Sequence, residues 1–325
     1  MEKISAKDRF SKNARISEVS MEILNEAISA FGLSPESCDV RLLTGGFMNA
    51  NFMVAGGGKK FVFRVYSTDR TTAKRERDVL QFLRSYPVKV PRTFALLESR
   101  GRPITVLEYV DGMTLEDKIL SGEPIGVRLY EEIGRQLAEI HAIHFDEAGF
   151  IGPGLAIGRE YEDFNIFIRQ FIEKTLDQMP ADRLDASTRG RFRRLVRDKW
   201  RLVSQTGPLR QLVHTDFNPK NMLVSRGPDS QLLAILDWEF CLSGNGLIDL
   251  GNFFRFSEDY APNAREHFEQ GYRSVTSQLS ADWMDISRLL DLGNMCSFLE
   301  RKEDYPESFR TARAVIQSIL DHFGY

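Results

Sequence analysis

Cysteine is scarce: Cys38, Cys241 and Cys296 are spread over 325 residues, with no close pair. An odd, sparse set suits a reducing compartment and excludes a disulfide framework. The five histidines do not cluster with the cysteines, so no zinc-type spacing occurs. No apolar run approaches the ~18–20 residues that a membrane span requires. The first 20 residues are polar and lack the apolar centre of a signal peptide, so a cytoplasmic protein with a partly mobile N-terminus is expected. There is no Gly-x-Ser-x-Gly turn, and His214 and Asp216 lie too close in sequence for a Ser/His/Asp hydrolase. The net charge of −3 gives no general attraction to nucleic acid or to a membrane surface. No internal repeat or low-complexity segment is present.

What remains is ordinary globular material, 42% hydrophobic and 27% charged, long enough for one large domain or two modest ones. Residues 21–31 have helical spacing and stop at Gly32. From 38 to 110 the texture is strand-like. FVFRVY (61–66) alternates, with Phe61, Phe63 and Val65 on one face and Val62, Arg64 and Tyr66 on the other. Gly56 to Lys60 reads as a hairpin turn, with 51–54 as the partner strand. A helix over 71–85 follows, burying Val79, Leu80, Phe82 and Leu83. Strands are expected near 93–98 and 104–109, joined by the turn 99–103. Beyond Asp111-Gly112 the pattern turns helical, over 127–144, 161–179, 188–204 and most of 264–325. One small β island is expected at 212–237.

That island carries the chemistry. LVHTDFNPKNMLV (212–224) places six polar residues between apolar ends. A turn at 225–230 and an apolar strand at 231–236 then lead to Asp237. A hairpin of this kind returns Asp237 beside Asn221, with Asp216 on the incoming loop. Hard oxygen ligands on adjacent segments suit Mg²⁺, which keeps waters and shares phosphate oxygens. A further carboxylate can orient a hydroxyl and accept its proton. These are the parts of phosphoryl transfer.

HTDFNPKN (214–221) and ILDW (235–238) resemble the aminoglycoside phosphotransferase and choline kinase group, relatives of the protein kinases, over roughly 38–260. The resemblance implies an α+β, two-lobed protein-kinase-like fold, with a small antiparallel β-sheet N-lobe (1–110) and a larger, mainly helical C-lobe (111–325). It implies Asp216 as catalytic base, Asn221 and Asp237 as metal ligands, and His214 and Asp249 as braces of the loop. LLTGGFMNANF (42–52) resembles a loop covering nucleotide phosphates, through the backbone of Gly45 and Gly46 and the amide of Asn49. Arg64 stands where the group carries a Lys or Arg toward the phosphates, and it departs from the lysine of protein kinases. Glu76 is implied as its partner, with Asp78 a competitor in the same helix. VLEYVDG (106–112) resembles the interlobe hinge, with Glu108 and Val110 meeting adenine through their backbone, and Val62 and Leu107 bordering the base. His141 is read as a packed structural residue. Trp238-Glu239 after Asp237 departs from the Asp-Phe-Gly of protein kinases.

The cofactors implied are ATP or GTP and Mg²⁺, with a small-molecule hydroxyl acceptor and no nucleic-acid or membrane partner, in a monomer or homodimer. The patterns HxDFxxxNxL, DW and NFF resemble the hygromycin-type branch. Glu160, Glu162, Asp163, Glu239, Glu258 and Asp259 suit a cationic acceptor such as an aminoglycoside, or they are solvated helix surface. The alternatives are a metabolic kinase for a sugar, amino alcohol or homoserine-like acceptor, and a non-catalytic nucleotide-binding protein. Arg189, Arg193, Arg197 and Arg201 recur every four residues as a basic stripe, read as a solvated helix face.

Overall fold

A computed structural model describes residues 21–43, 49–67, 70–302 and 305–325, without the side chains of Arg159 and Glu160. The N-terminal 20 residues and the loop with Gly45 and Gly46 lie outside the described residues.

Helix α1 (Met21–Ala30) precedes the strands β1 (Asp39–Leu43), β2 (Ala50–Gly56) and β3 (Lys59–Val65); then come α2 (Arg70–Leu83), β4 (Thr93–Ser99) and β5 (Arg102–Glu108). The five strands form one sheet in the order β1-β2-β3-β5-β4, antiparallel throughout. Gly57 and Gly58, at φ +58° and +74°, make the two-residue turn between β2 and β3. Both central positions of such a turn need positive φ, which glycine adopts without strain. The alternation of β3 sends Phe61, Phe63 and Val65 into a small core under α1, with Ile23, Leu24 and Ile28. The other face of β3 is left for Arg64 and Tyr66, both buried.

After Glu108 the chain forms β6 (Met113–Thr114), α3 (Leu115–Ser121), α4 (Val127–His141), β7 (Ala148–Ile151), β8 (Ile157–Tyr161), α5 (Phe164–Gln178), α6 (Ala186–Lys199) and α7 (Arg201–Ser204). There follow β9 (Gln211–Val213), β10 (Met222–Val224), β11 (Leu232–Ile235), β12 (Leu242–Gly244), α8 (Leu247–Phe254), α9 (Ala264–Arg273), α10 (Trp283–Leu299) and α11 (Pro306–His322).

The single β island expected in this region is instead two sheets, β11-β10-β6 and β8-β7-β12-β9. The helix expected over 161–179 starts later, because 157–161 is a strand and Asp163 caps α5, accepting from Asn165 N at 2.7 Å. The helix expected over 188–204 starts earlier, capped by Asp185, which accepts from Thr188 N. Its basic stripe is paired locally: Arg193 lies 2.6 Å from Asp177 and Arg197 2.8 Å from Asp198. Phe192, Leu195, Val196 and Trp200 are buried beneath it.

One large core joins α4, α8, α9 and α10 to the short strands. α4 and α9 cross at two glycines. A Cβ on Gly134 would lie 2.0 Å from the Phe268 carbonyl oxygen, and one on Gly271 would lie 1.9 Å from that of Glu131. The backbones therefore touch at this crossing, which supports the loop after β9. No helix among the described residues is long and apolar enough to cross a membrane.

Candidate active site

β9 delivers the chain into the buried residue His214, and everything up to Asn221 is loop or a short 3₁₀ turn. A loop needs partners for its backbone groups, and Asp249 on α8 supplies them. Its Oδ2 accepts from His214 N and its Oδ1 from Thr215 N, each at 2.7 Å. Oδ2 also lies 3.3 Å from His141 Nε2, while His141 Nδ1 lies 2.9 Å from the Tyr272 hydroxyl. Asp249 is fully buried, so these donors replace the water it has lost. Thr215 has φ +70°, a conformation unfavourable for a β-branched residue. It is held there by Asp249 on its N–H and by Asn252 Nδ2, which donates to its carbonyl at 3.0 Å.

The His214 ring sits on the far side of the loop. Asp216 N–H donates to Nδ1 at 3.2 Å, so Nε2 carries the proton and donates to Leu236 O at 2.8 Å. The ring thereby ties the loop to the end of β11, its centroid 4.6 Å from that of Trp238 and the two planes tilted by 56°.

Beyond it the Asp216 carboxylate is oriented by two amides. Asn218 Nδ2 donates to Oδ1 at 2.6 Å, and Asn221 Nδ2 donates to Oδ2 at 2.8 Å. Lys220 Nζ lies 3.3 Å from Oδ2. The amide group of Asn221 is turned to Asp216, which leaves the oxygen of the same side chain facing elsewhere. Met222 pairs with Ile235, and Leu236 N–H donates to Asn221 O at 2.8 Å, so the hairpin brings Asp237 back beside Asn221. Asp237 has φ +70°, which turns it out of the strand direction.

Asp237 meets the other lobe. Arg64 Nη2 of β3 lies 2.5 Å from its Oδ1 and 3.5 Å from Glu239, and Arg64 Nε lies 3.2 Å from Glu76 on α2. Glu76 also accepts from the Tyr66 hydroxyl at 2.5 Å and from the Trp238 backbone. Asp78, the competing acid on α2, pairs with Arg77 and accepts from Gly154 N instead. Asn49 is buried, donating to Glu239 at 2.8 Å and accepting from Ser67 N at 3.4 Å.

One guanidinium thus faces three carboxylates. Burial works against the charge on Asp237, but Arg64 outweighs it and holds the carboxyl below its usual range. Burial, reinforced by the charge of Asp237, pushes Glu239 up to about 7. Glu76 is likewise raised, by burial first. This surplus of negative charge, with the oxygens of Asn221 and Asp237 on adjacent segments, fits a small divalent cation with an oxygen shell completed by water and phosphate. Among the described residues no group of three His, Cys, Asp or Glu side chains could hold a metal by itself.

Asp216, Asp237, Arg64 and Asn49 line one cavity of about 620 Å³. Glu76 and Asn221 stand behind its lining, Asn221 with its side chain turned to Asp216. The four hinge-side residues do not border this cavity: Val62 pairs with Leu107 between β3 and β5, Glu108 N–H donates to Arg92 O at 2.8 Å, and Val110 follows the strand. Of the acidic residues considered for a cationic acceptor, Glu239 and Asp259 line the cavity. Asp163 caps α5, while Glu162 and Glu258 are exposed outside it.

Several roles were not anticipated. Tyr66 completes the charge cluster, Glu239, expected only as a candidate acceptor ligand, joins it, and Asn218 orients Asp216. Arg255 lines the cavity, held by Asp291 at 2.7 Å and by Asn252 at 3.0 Å. The HTDFNPKN loop itself contained the signal for Asn218; Arg255 and Asp291 carried none.

Two lobes with an antiparallel sheet above, helices below and this loop and hairpin between them define the protein-kinase-like fold of small-molecule kinases. The chain belongs to the phosphotransferase enzyme family, whose model matches residues 39–283. The crystal structure of aminoglycoside phosphotransferase APH(4)-Ia superposes with a TM-score of 0.67 at 17% identity, covering 92% of this chain and 99% of that one. Spectinomycin phosphotransferase APH(9)-Ia, in complex with ADP and spectinomycin, gives 0.59 at 12% identity, covering 94% and 98%. Among curated sequences, acyl-CoA dehydrogenase family member 11 of Homo sapiens is 23% identical over 72% of this chain, and that of Pongo abelii matches equally. The chain spans about 30% of the length of these relatives.

Proposed function

We propose that the protein transfers the γ-phosphoryl group of ATP or GTP to a hydroxyl of a small molecule. The observation that carries this reading is the Asp216 carboxylate, held by two amides at the end of a cavity that also contains Asp237 and Arg64. The acceptor oxygen attacks the γ-phosphorus, and its proton passes to Asp216. The bond from that phosphorus to the β–γ bridging oxygen breaks, and the nucleoside diphosphate leaves with the electron pair. Asn221 and Asp237 would hold Mg²⁺, which when bound would neutralise phosphate charge. Arg64, kept in place by Glu76, grips phosphate oxygens with a permanently charged fork. Asn49 stands at the phosphate end of the cavity. Glu108 and Val110 meet the base at the hinge, and Val62 and Leu107 border it. His214 and Asp249 brace the loop. The lobes divide at 110, and the protein works in the cytoplasm as a monomer or homodimer.

APH(4)-Ia has been crystallised with ADP and hygromycin B, and an aminoglycoside-like acceptor is the first class to try here. Sugars, amino alcohols and homoserine-like metabolites are the second. Nucleoside diphosphate release with Mg²⁺ across both classes tests the reaction. A protein that binds nucleotide but releases no diphosphate with any hydroxyl acceptor would be a non-catalytic binder, and the proposal would fall.

A further inference from the structure

The acceptor end of the cavity is built from rings. Helix α5 turns Phe164, Phe167, Ile168 and Phe171 into it, an i, i+3, i+4, i+7 face. Phe164 and Ile168 are buried in the core beside α10, while Phe167 and Phe171 are half-buried and border the cavity. Phe167 is the hub of this face. It is stacked on Tyr161 at 3.9 Å and lies 6.3 Å from Phe150 and 6.5 Å from Phe171. Phe298 on α10 lines the same cavity from another element. At the mouth, Phe150 and Phe240 line the cavity while 39% and 51% exposed. Contiguous apolar surface of this kind commonly marks a binding site.

Charge gives a polycation no strong hold outside the Asp216–Asp237 corner. Glu116 and Asp259 line the cavity there, and so do Arg301, 4.7 Å from the Phe298 ring centre, and Arg255, whose charge is answered by Asp291.

We infer that the acceptor is an apolar alcohol, a hydroxyl carried on a hydrocarbon body, rather than a polycationic sugar. This deepens the phosphoryl-transfer reading above and rests on it. The hydrocarbon body lies along Phe164, Phe167 and Phe171, and its hydroxyl points to Asp216. The bonds made and broken are those already given: acceptor O–P forms, the bridging P–O bond breaks, and the hydroxyl proton moves to Asp216.

The test uses the full chain with Mg²⁺ and ATP or GTP. The acceptors are straight-chain primary alcohols from butan-1-ol to octan-1-ol, with hygromycin B and glucose beside them. Labelled phosphoryl transfer to each is read. kcat/KM is expected to rise about three- to fourfold per added methylene, the gain from burying one such group. Phe167→Ala is expected to lower kcat/KM for octan-1-ol roughly tenfold or more without changing the KM for nucleotide. Phe298→Ala, from the facing helix, gives the same loss if the first variant folds poorly, and Ile166→Ala, outside the lining, is expected to behave as wild type. A flat alcohol series, or transfer to hygromycin B exceeding that to every alcohol, would overturn the inference. Nucleotide binding is measured separately by calorimetry. Nucleotide bound with no alcohol phosphorylated overturns the acceptor assignment alone, whereas no nucleotide binding overturns the phosphoryl-transfer reading and the acceptor assignment with it.

Discussion

Arg64 Nη2 lies 2.5 Å from Asp237 Oδ1, a contact between residues 173 positions apart that fastens the sheet lobe to the helical lobe. The same guanidinium lies 3.2 Å from the buried Glu76. Removing it strands two carboxylates that depend on it. Arg64→Ala is expected to cost about 3–5 kcal/mol of stability, the usual penalty for uncovering a buried charge. Urea unfolding checks this. In Arg64→Ala/Glu76→Gln part of the loss should return, since the stranded charge is gone. Equal loss in both variants would show that Glu76 does not depend on Arg64.

The α4–α9 crossing makes a stability prediction independent of the site. Gly271→Ala puts a methyl group where the Glu131 carbonyl oxygen stands 1.9 Å away, and backbone cannot step aside as a flexible side chain can. The expected cost is about 1–3 kcal/mol or more, read as a lowered denaturation midpoint. Gly190→Ala is the control, because a Cβ there meets nothing within 4 Å. Two equally stable variants would contradict the close approach.

A pH dependence follows from the α6 cap. Hydrogen bonds from Thr188 hold the Asp185 carboxyl below its ordinary value. Its folded pKa is depressed, so its contribution to stability is present above the unfolded pKa and is lost as pH falls through the folded value. Asp185→Ala should therefore melt lower than wild type at pH 7, with the gap closing as the pH is taken below the usual carboxylate range. A gap that stays constant with pH would mean that the charge on Asp185 does not contribute.

The parts of the site that could be read in the sequence were local. His214, Asp216 and Asn221 lie within one loop, and Asp237 comes back through a short hairpin whose register follows from its apolar strands. The β3 alternation placed Arg64 opposite the core face. What could not be read were contacts made by packing. Asn49 meets Glu239 across 190 positions, and Arg255 finds Asp291 only because α8 lies against α10. Asp163 and Glu239 were read as acceptor ligands or as solvated surface, because acidity alone does not reveal that one caps a helix and the other meets Asn49 and Arg64. β7, β8 and β12 were missed because three to five residues interrupted by glycines carry too little alternation. The aromatic spacing of α5 is that of an ordinary core face; only the cavity beside Phe167 and Phe171 gives it another meaning.

The central claim is that Asp216 takes the acceptor proton. The most direct measurement is single-turnover transfer of labelled γ-phosphoryl by wild type and Asp216→Asn, with nucleotide affinity measured by calorimetry on the same samples. The expected result is a transfer rate about 10²–10⁴-fold lower in the variant with nucleotide affinity retained. Transfer at the wild-type rate in Asp216→Asn would contradict the account.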